Sequence, residues 1–200
     1  MAKEGLPFIL VALAIAGLLA IPGWWIGVSI FVLVAAFLAY FFRDPHRNVP
    51  SNGGVILAAA DGRVTRITED GNGTLISVFM SPFDVHINRS PISGTIREVI
   101  YEKGRKLPAT RNEASYVNER NTLVIDGEGL TVRCTQIAGI MARRIVCWPK
   151  IGDKIERGER FGLIKFSSRT DVLVPSGFEV AVNIGDHVRG GETVIARRNS

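Results

Sequence analysis

The chain has 200 residues, 46% of them hydrophobic, and a formal net charge of +5. This length fits one globular domain plus an appendage. Two cysteines without a Cys-x-x-Cys spacing exclude a secreted disulfide framework, and three histidines far apart in the sequence offer no metal-ligand pattern. No basic helix or aromatic and basic platform accompanies the positive charge, so we expect neither a metal ion nor a nucleic acid as a partner.

Residues 6–42 carry no charge and are almost entirely apolar, aromatic or small. The turn signal Pro22-Gly23 divides them into runs of about 16 residues (Leu6–Ile21) and about 19 residues (Trp24–Phe42). A spanning helix needs roughly 20 apolar residues, with a range of about 17–25, so the second run qualifies and the first is marginal. A signal peptide is the alternative, but the apolar stretch is too long and continues past Pro22. We therefore predict that residues 1–42 form a two-helix membrane hairpin.

The flanking charges predict the orientation of this hairpin. Lys3 precedes it, and Arg43 and Arg47 follow it, so the positive-inside rule places both ends in the cytoplasm. Because Lys3 and Glu4 cancel, the whole excess of positive charge belongs to residues 43–200. A basic domain tethered to a bilayer is attracted to anionic lipid headgroups. We expect a protein of the cell membrane with residues 43–200 on the cytoplasmic side.

Residues 43–200 are numerous enough to bury a sizeable core. Apolar runs such as 55–60, 74–79 and 122–125 alternate with Gly, Asn and Asp turn signals, which predicts strand, turn and strand in succession. The fold class that we expect is mostly β: a β-sandwich or barrel-like domain, preceded by the membrane hairpin.

One phrase is repeated within this domain. GDKIERGE at 152–159 recurs as GDHVRGGE at 185–192, 33 residues later, and an apolar stretch follows each copy. Two ordinary β-turns would explain the pattern, but we favour two related hairpins. The phrase resembles the half-repeats of lipoyl-like and biotinyl carrier domains.

Three further phrases carry a family resemblance. They are FFRDP at 41–45, SPFDVHINRSP at 81–91, and FGLIKFSSRTDVLV at 161–174, where two serines interrupt an apolar strand pattern. Together they resemble the short-type phosphatidylserine decarboxylase proenzymes. By themselves, two serines between apolar runs indicate only a turn.

The resemblance implies self-cleavage between Ser167 and Ser168. The Ser168 hydroxyl would attack the carbonyl of residue 167, and the resulting ester would eliminate and hydrolyse, leaving a pyruvoyl group at position 168. The products would be a β chain, 1–167, and an α chain, 168–200. The family's usual pair is Gly-Ser, so Ser167 leaves open a slower cleavage or an inactive precursor.

The same resemblance assigns proton transfer to His86 and an orienting role to Asp61, which would complete an Asp61, His86 and Ser168 relay. Without it, a single strand histidine and an Asp-Gly turn are ordinary structural features. Strand alternation would place Asp84 on the same face as His86. The sequence does not identify residues that bind the substrate.

The implied activity is the decarboxylation of phosphatidylserine to phosphatidylethanolamine in phospholipid biosynthesis. The pyruvoyl carbonyl would form a Schiff base with the lipid amine, without pyridoxal phosphate or a metal ion. The implied partners are phosphatidylserine in the bilayer, the membrane, the two chains of the same precursor and, by analogy, a second copy in a homo-oligomer.

Three alternatives remain open at this point. Archaetidylserine carries the same headgroup on ether-linked chains. A membrane-anchored lipoyl-like adaptor fits the repeat, although no lysine stands at a suitable hairpin tip. A serine hydrolase could use the same three residues, although Ser168 lacks a Gly-x-Ser-x-Gly motif.

Overall fold

The computed structural model describes residues 1–105, 107–111, 113–140, 144–164 and 168–199, leaving aside the side chain of Asp70. Ser167, one of the two residues of the predicted cleavage site, lies outside the described residues. The chain divides into two compact units, Met1–His46 and Arg47–Ser200.

The first unit is a pair of helices. It consists of a 3-10 turn, Lys3–Gly5, followed by α1, Leu6–Ala20, and α2, Trp25–Phe41. Pro7 lies in the first turn of α1, where its missing N–H costs no helical hydrogen bond. Gly23 adopts a φ of 78° in the turn between the helices. The backbone N–H of Ala2 donates to the carbonyl of Phe42 at 2.9 Å, so the two ends of the pair lie together. The predicted helix pair is confirmed.

The lengths of the two helices differ from our expectation. Among the described residues, Lys3–Ala20 is the one stretch of 18 residues that is long and apolar enough to cross a membrane, while α2 has 17 residues. We expected the opposite order. The 3-10 turn lengthens the first helix, whereas Trp24 stays outside the second. Leu18, Ile26 and Leu33 are largely exposed.

The second unit is built mainly of strands. Its described elements are one short helix, α3 (Ala114–Val117), and the strands β1 (Val55–Leu57), β2 (Gly62–Asp70), β3 (Gly73–Met80), β4 (Ile87–Arg89), β5 (Gly94–Glu102), β6 (Arg120–Gly127), β7 (Leu130–Ala138), β8 (Ile145–Cys147), β9 (Lys154–Ile155), β10 (Arg160–Ile164), β11 (Ser168–Pro175), β12 (Phe178–Val180), β13 (His187–Val188) and β14 (Val194–Arg198).

These strands form one large sheet and two small ones. The large sheet has the order β13-β2-β3-β11-β7-β6-β5-β9 and curls into a half-barrel. The small sheets have the orders β1-β14-β12 and β4-β10-β8. Buried side chains from all three sheets form one core cluster, which includes Ile56, Ile76, Leu123 and Phe161. The predicted mostly β fold is confirmed.

The strands fall into two sets that repeat the same arrangement. The outer half comprises β1–β3 and β11–β14 (55–80 and 168–198), and the inserted half comprises β4–β10 (87–164). The outer half contributes β13-β2-β3-β11 to the large sheet, the inserted half contributes β9-β5-β6-β7, and each forms one small sheet. A register shift between Val64 and Arg66 in β2 recurs between Ile96 and Glu98 in β5. One half therefore interrupts the other between β3 and β11.

The repeated phrase marks corresponding turns of the two halves. The carboxylates of Asp153 and Asp186 each accept a hydrogen bond from the backbone N–H three residues earlier, both at 2.8 Å. Gly158 and Gly191 have φ values of 77° and 78°, which favour glycine. The predicted repeat is confirmed, and it is one part of a duplication that extends through the whole strand order.

Candidate active site

The two halves differ at one end of the large sheet. In the inserted half, the turn Glu128-Gly129, with φ values of 54° and 75°, joins β6 directly to β7. In the outer half, the corresponding strands β3 and β11 pair in the same way, with Met80 opposite Ser168. The chain between these two residues contains the whole inserted half. Ser168 therefore begins its strand where the other half has a closed turn.

Ser168 is fully buried at this strand end. It lies between Met80 of β3 and Ala138 of β7, its register partners on either side. Among the described residues, the one partner of its Oγ is the sulfur of Met80, at 3.7 Å. A thioether is a weak acceptor, so this hydroxyl is not committed to a strong hydrogen bond there.

The chain crosses between the two halves twice, from β3 to β4 and later from β10 to β11, and His86 lies in the first of these crossings. Its carbonyl accepts a hydrogen bond from the N–H of Ile164 at 3.3 Å, and Ile164 ends the strand that precedes the predicted cleavage site. The segment that carries His86 leaves β3 directly after Met80. Strand pairing thus brings the chain around His86 and the chain around Ser168 to the same end of the sheet.

The orientation of the His86 ring is set by a backbone carbonyl. The ring is buried, and its Nδ1 lies 2.9 Å from the carbonyl oxygen of Asp84. A carbonyl can only accept, so Nδ1 donates, and in the neutral ring Nε2 is the basic nitrogen. Our expectation that Asp84 and His86 share a strand face was wrong, because β4 begins only at Ile87. Asp84 lies in a turn, where its carboxylate accepts from the N–H and hydroxyl of Ser81.

Asp61 has other partners than the predicted relay requires. Its Oδ2 lies 2.8 Å from the guanidinium of Arg47, and its Oδ1 accepts from the N–H of Gly190 at 2.9 Å. Within the described part of the chain, no hydrogen bond joins Asp61 to His86. The structure places Asp61 near the same sheet end through Gly62, whose backbone packs against Phe79 and Met80.

The duplication explains the hydrogen bond between Asp61 and the backbone of Gly190. In the inserted half, the hydroxyl of Ser93 accepts from the N–H of Arg157 at 2.9 Å. Arg157 and Gly190 are corresponding residues, each directly before the left-handed glycine of its repeat. Asp61 therefore fills the same framework position as Ser93, and the contact with Arg47 is its additional feature.

The side chains that follow Ser168 anchor its strand on the opposite face. Arg169 is buried, its Nε lies 2.9 Å from Asp171, and it donates to the carbonyls of Ala109 and Arg111 at 3.1 Å. The hydroxyl of Ser115 bonds both members of this ion pair. We gave these residues no role from the sequence, although two charges at alternate positions of an apolar strand pattern signal a buried ion pair.

Comparison with known proteins identifies the family. The model of the phosphatidylserine decarboxylase family matches residues 34–196. Proteins named phosphatidylserine decarboxylase proenzyme are 45% identical in Solibacter usitatus (94% of this chain and 93% of the relative), 44% in Symbiobacterium thermophilum (98% and 94%) and 46% in Nitrosomonas europaea (98% and 94%). These matches span both compact units. The chain therefore belongs to the phosphatidylserine decarboxylase family.

Proposed function

We propose that this protein is a self-cleaving decarboxylase that converts phosphatidylserine to phosphatidylethanolamine. The observation that carries the proposal is the similarity, over nearly the whole chain, to proteins named phosphatidylserine decarboxylase proenzyme. The buried Ser168 and His86 support it, because they are a nucleophile and a base at the end of the sheet where the chain crosses between the two halves.

Ser168 acts first as the nucleophile of self-cleavage. Its Oγ forms a bond to the carbonyl carbon of Ser167, and the peptide bond between the two residues breaks to leave an ester. Nε2 of His86 takes the hydroxyl proton and returns it to the departing nitrogen. Loss of the Cα proton and cleavage of the Cβ–O bond then release the carboxylate of residue 167. Addition of water and loss of ammonia convert residue 168 to the pyruvoyl group.

The surroundings of Ser168 fit a small uncharged keto group. Its register neighbours are the apolar Met80 and Ala138, and no charged side chain bonds its Oγ among the described residues. A pyruvoyl carbonyl at position 168 would supply the electron sink for release of carbon dioxide from the amine-bearing lipid. His86 delivers a proton to the carbon that loses the carboxylate.

Asp61 supports the site indirectly, through neighbouring residues. It holds Arg47 and the backbone of Gly190, and its neighbour Gly62 packs against Met80, the register partner of Ser168. We propose that Asp61 fixes this strand end rather than the ring of His86.

The two cleavage products, 1–167 and 168–200, remain together in this proposal. The first strand of the shorter chain, β11, lies between β3 and β7 in the middle of the large sheet. The helix pair keeps the enzyme at the bilayer that contains its substrate, and the positive charge of residues 43–200 attracts an anionic lipid surface on the cytoplasmic side.

Intact-mass spectrometry of the purified chain tests the proposal. We expect two fragments separated at Ser167/Ser168, the smaller one reactive toward a carbonyl reagent. Vesicles that contain phosphatidylserine should then yield carbon dioxide and phosphatidylethanolamine. A wild-type chain that stays uncut and inactive, together with an uncut Ser167→Gly variant, would overturn the proposal. Cleavage of Ser167→Gly alone would assign the block to Ser167.

A further inference from the structure

A chain of buried amide side chains lies beside Ser168. The Nδ2 of Asn88 donates to the hydroxyl of Thr170 at 3.1 Å, and its Oδ1 accepts from Nε2 of Gln136 at 2.8 Å. The amide of Asn121 continues the chain by donating to Gln136 at 3.2 Å. All four residues are at least nine-tenths buried. Buried amides are costly unless they are hydrogen-bonded, so this network needs a reason.

The duplication shows that the fold does not require these polar groups. In the other half, the residue that corresponds to Asn88 is Ile56, since the two pair with Gly162 and Ala196 at matching points of β10 and β14. By the same register comparison, Val132 corresponds to Thr170 and Val174 corresponds to Gln136. The three hydrocarbon counterparts are fully buried. The same architecture thus packs with apolar side chains at these positions. The hydrogen-bonded network replaces them only near Ser168.

The network connects β11, which begins at Ser168, with β4, which begins directly after His86. Asn88 follows His86 by two residues, and Thr170 follows Ser168 by two residues on the same strand face. The hydrogen bond between them joins β4 of a small sheet to β11 of the large sheet. The sulfur of Met80 lies 3.7 Å from Oγ of Ser168 and 3.9 Å from Nδ2 of Asn88, so it contacts both the proposed nucleophile and the amide of the network.

We propose that Asn88 and Thr170 are positioning residues, which fix the strand that begins at Ser168 against the strand that directly follows His86. The inference rests on the proposed function. Proton transfer and nucleophilic attack depend steeply on geometry, and a misplacement of about 1 Å can cost about 100-fold in rate. Cleavage also removes the covalent connection at the start of β11. The Asn88 and Thr170 bond then holds the new chain end in place beside His86.

Two substitutions at position 170 separate the hydrogen bond from packing. Thr170→Val keeps the volume and matches Val132 of the other half, but it removes the acceptor for Asn88. Thr170→Ser loses a methyl group and keeps the hydroxyl. We expect Thr170→Val to slow self-cleavage about 10- to 100-fold, and Thr170→Ser to cleave within about twofold of the wild-type rate. A role in packing alone predicts the opposite order. Gel densitometry of freshly synthesised full-length chain gives both rates.

A matched control tests a comparable hydroxyl on the other face of the sheet. Thr122 and Thr135 share a hydrogen bond of 2.9 Å between β6 and β7, and we expect Thr122→Val to cleave at the wild-type rate. The urea midpoint of Thr170→Val shows whether this variant is folded. If it is not, Asn88→Leu removes the same hydrogen bond from its other partner. We expect it to slow cleavage like Thr170→Val.

The outcomes separate this inference from the proposed function. If the wild-type chain cleaves and Thr170→Val or folded Asn88→Leu cleaves equally fast, the positioning role is wrong and the decarboxylase proposal stands. If Thr122→Val slows cleavage as much as Thr170→Val does, the effect is not specific to this link, and the positioning role is overturned. If the wild-type chain neither cleaves nor releases carbon dioxide, the proposed function fails and this inference falls with it.

Discussion

At one end of the large sheet, β6 passes into β7 through two residues, whereas the corresponding strands β3 and β11 are separated in sequence by the whole inserted half. The backbone pairing is the same in both places. The closed turn contains neither a serine nor a histidine, whereas the other end, which we call the open end, has Met80 opposite Ser168 and carries both proposed catalytic residues, Ser168 and His86. The comparison shows that the same strand pairing is closed by a short turn in one half and interrupted by the chain crossings in the other, where the start of β11 at Ser168 is buried.

The largest effect should come from removing the nucleophile at the open end. We expect Ser168→Ala to abolish both self-cleavage and decarboxylation, because no other described group at this end can become the keto group. Leu130→Ser places a serine at the corresponding start of β7, and we expect no second cleavage there. Intact-mass spectra of both variants provide the measurement. A cut before residue 130 would mean that the strand start alone suffices.

The next effect concerns the base. We expect His86→Ala to slow self-cleavage by about 10²–10⁴-fold and to remove its dependence on pH near neutrality, because the imidazole transfers the proton. His46, an exposed histidine of the other unit, provides the control variant His46→Ala. Cleavage rates between pH 5 and 9 decide the question, and an unchanged profile in His86→Ala would assign the proton transfer elsewhere.

Asp61 and Ser93 provide a matched pair on the two sides of the duplication. We expect Asp61→Asn to lower the free energy of unfolding by about 3 kcal/mol, because it leaves the buried guanidinium of Arg47 without its closest carboxylate. Ser93→Ala loses a single cap and should cost about 1 kcal/mol. Urea unfolding in the uncleavable Ser168→Ala background measures both. If Asp61→Asn unfolds like the parent but no longer cleaves when Ser168 is restored, Asp61 acts in the chemistry rather than in the framework.

Glu192 gives a smaller, pH-dependent difference between the halves. Its counterpart in the repeated phrase, Glu159, caps a turn of its own half, whereas Glu192 accepts from the N–H of Asn48 at 2.8 Å. This bond, together with Arg47 and Arg189, holds the pKa of the Glu192 carboxyl below its usual value near 4.5. A carboxyl group whose pKa is lower in the folded state than in the unfolded state stabilises the protein at pH values above the unfolded pKa. This stabilisation is lost as the pH falls through the folded pKa. When the pH is lowered from about 5, we expect the free energy of unfolding of Glu192→Gln to fall less than that of the parent protein. Urea unfolding at several pH values measures this difference.

The smallest effects should come from the two cysteines, which are free. Burial raises the pKa of both thiols, and Cys134 is fully buried. We expect a thiol reagent to leave Cys134 unmodified until the protein unfolds. The corresponding residues of the other half are valines, Val172 and Val180, so Cys134→Val and Cys147→Val should each change stability by less than about 1.5 kcal/mol. Rapid labelling of folded Cys134 would contradict the assigned burial.

Much of this architecture could be predicted from local patterns. The uncharged run 6–42 predicts two helices, because the turn signal Pro22-Gly23 divides it into two long apolar segments. The phrases at 152–159 and 185–192 specify matching turns, because Asp153 and Asp186 each cap their own turn three residues away. The ends of the helices could not be predicted from the apolar pattern, because Trp24 is apolar and still lies outside α2.

The candidate site was predictable only as a set of residue types. Ser168 and His86 came from the family phrases, and the structure places both in the core at one sheet end. The partners of Asp61 could not be predicted, because Arg47 and Gly190 reach it from distant parts of the chain. Asn88, Gln136 and Thr170 were missed for the same reason, since each is an ordinary strand residue until its cross-sheet neighbour is known.

The sequence by itself determined the helix pair, the β-rich second unit, the repeated turns and the family, because each depends on residues close together in the chain. Only the tertiary structure decided that one half interrupts the other, that Asp84 orients His86 through its carbonyl, and that an amide network joins β4, which follows His86, to β11, which begins at Ser168. Strand register between distant segments sets these contacts. A shift of one residue would turn the side chains involved to the opposite face, so local pattern alone cannot specify them.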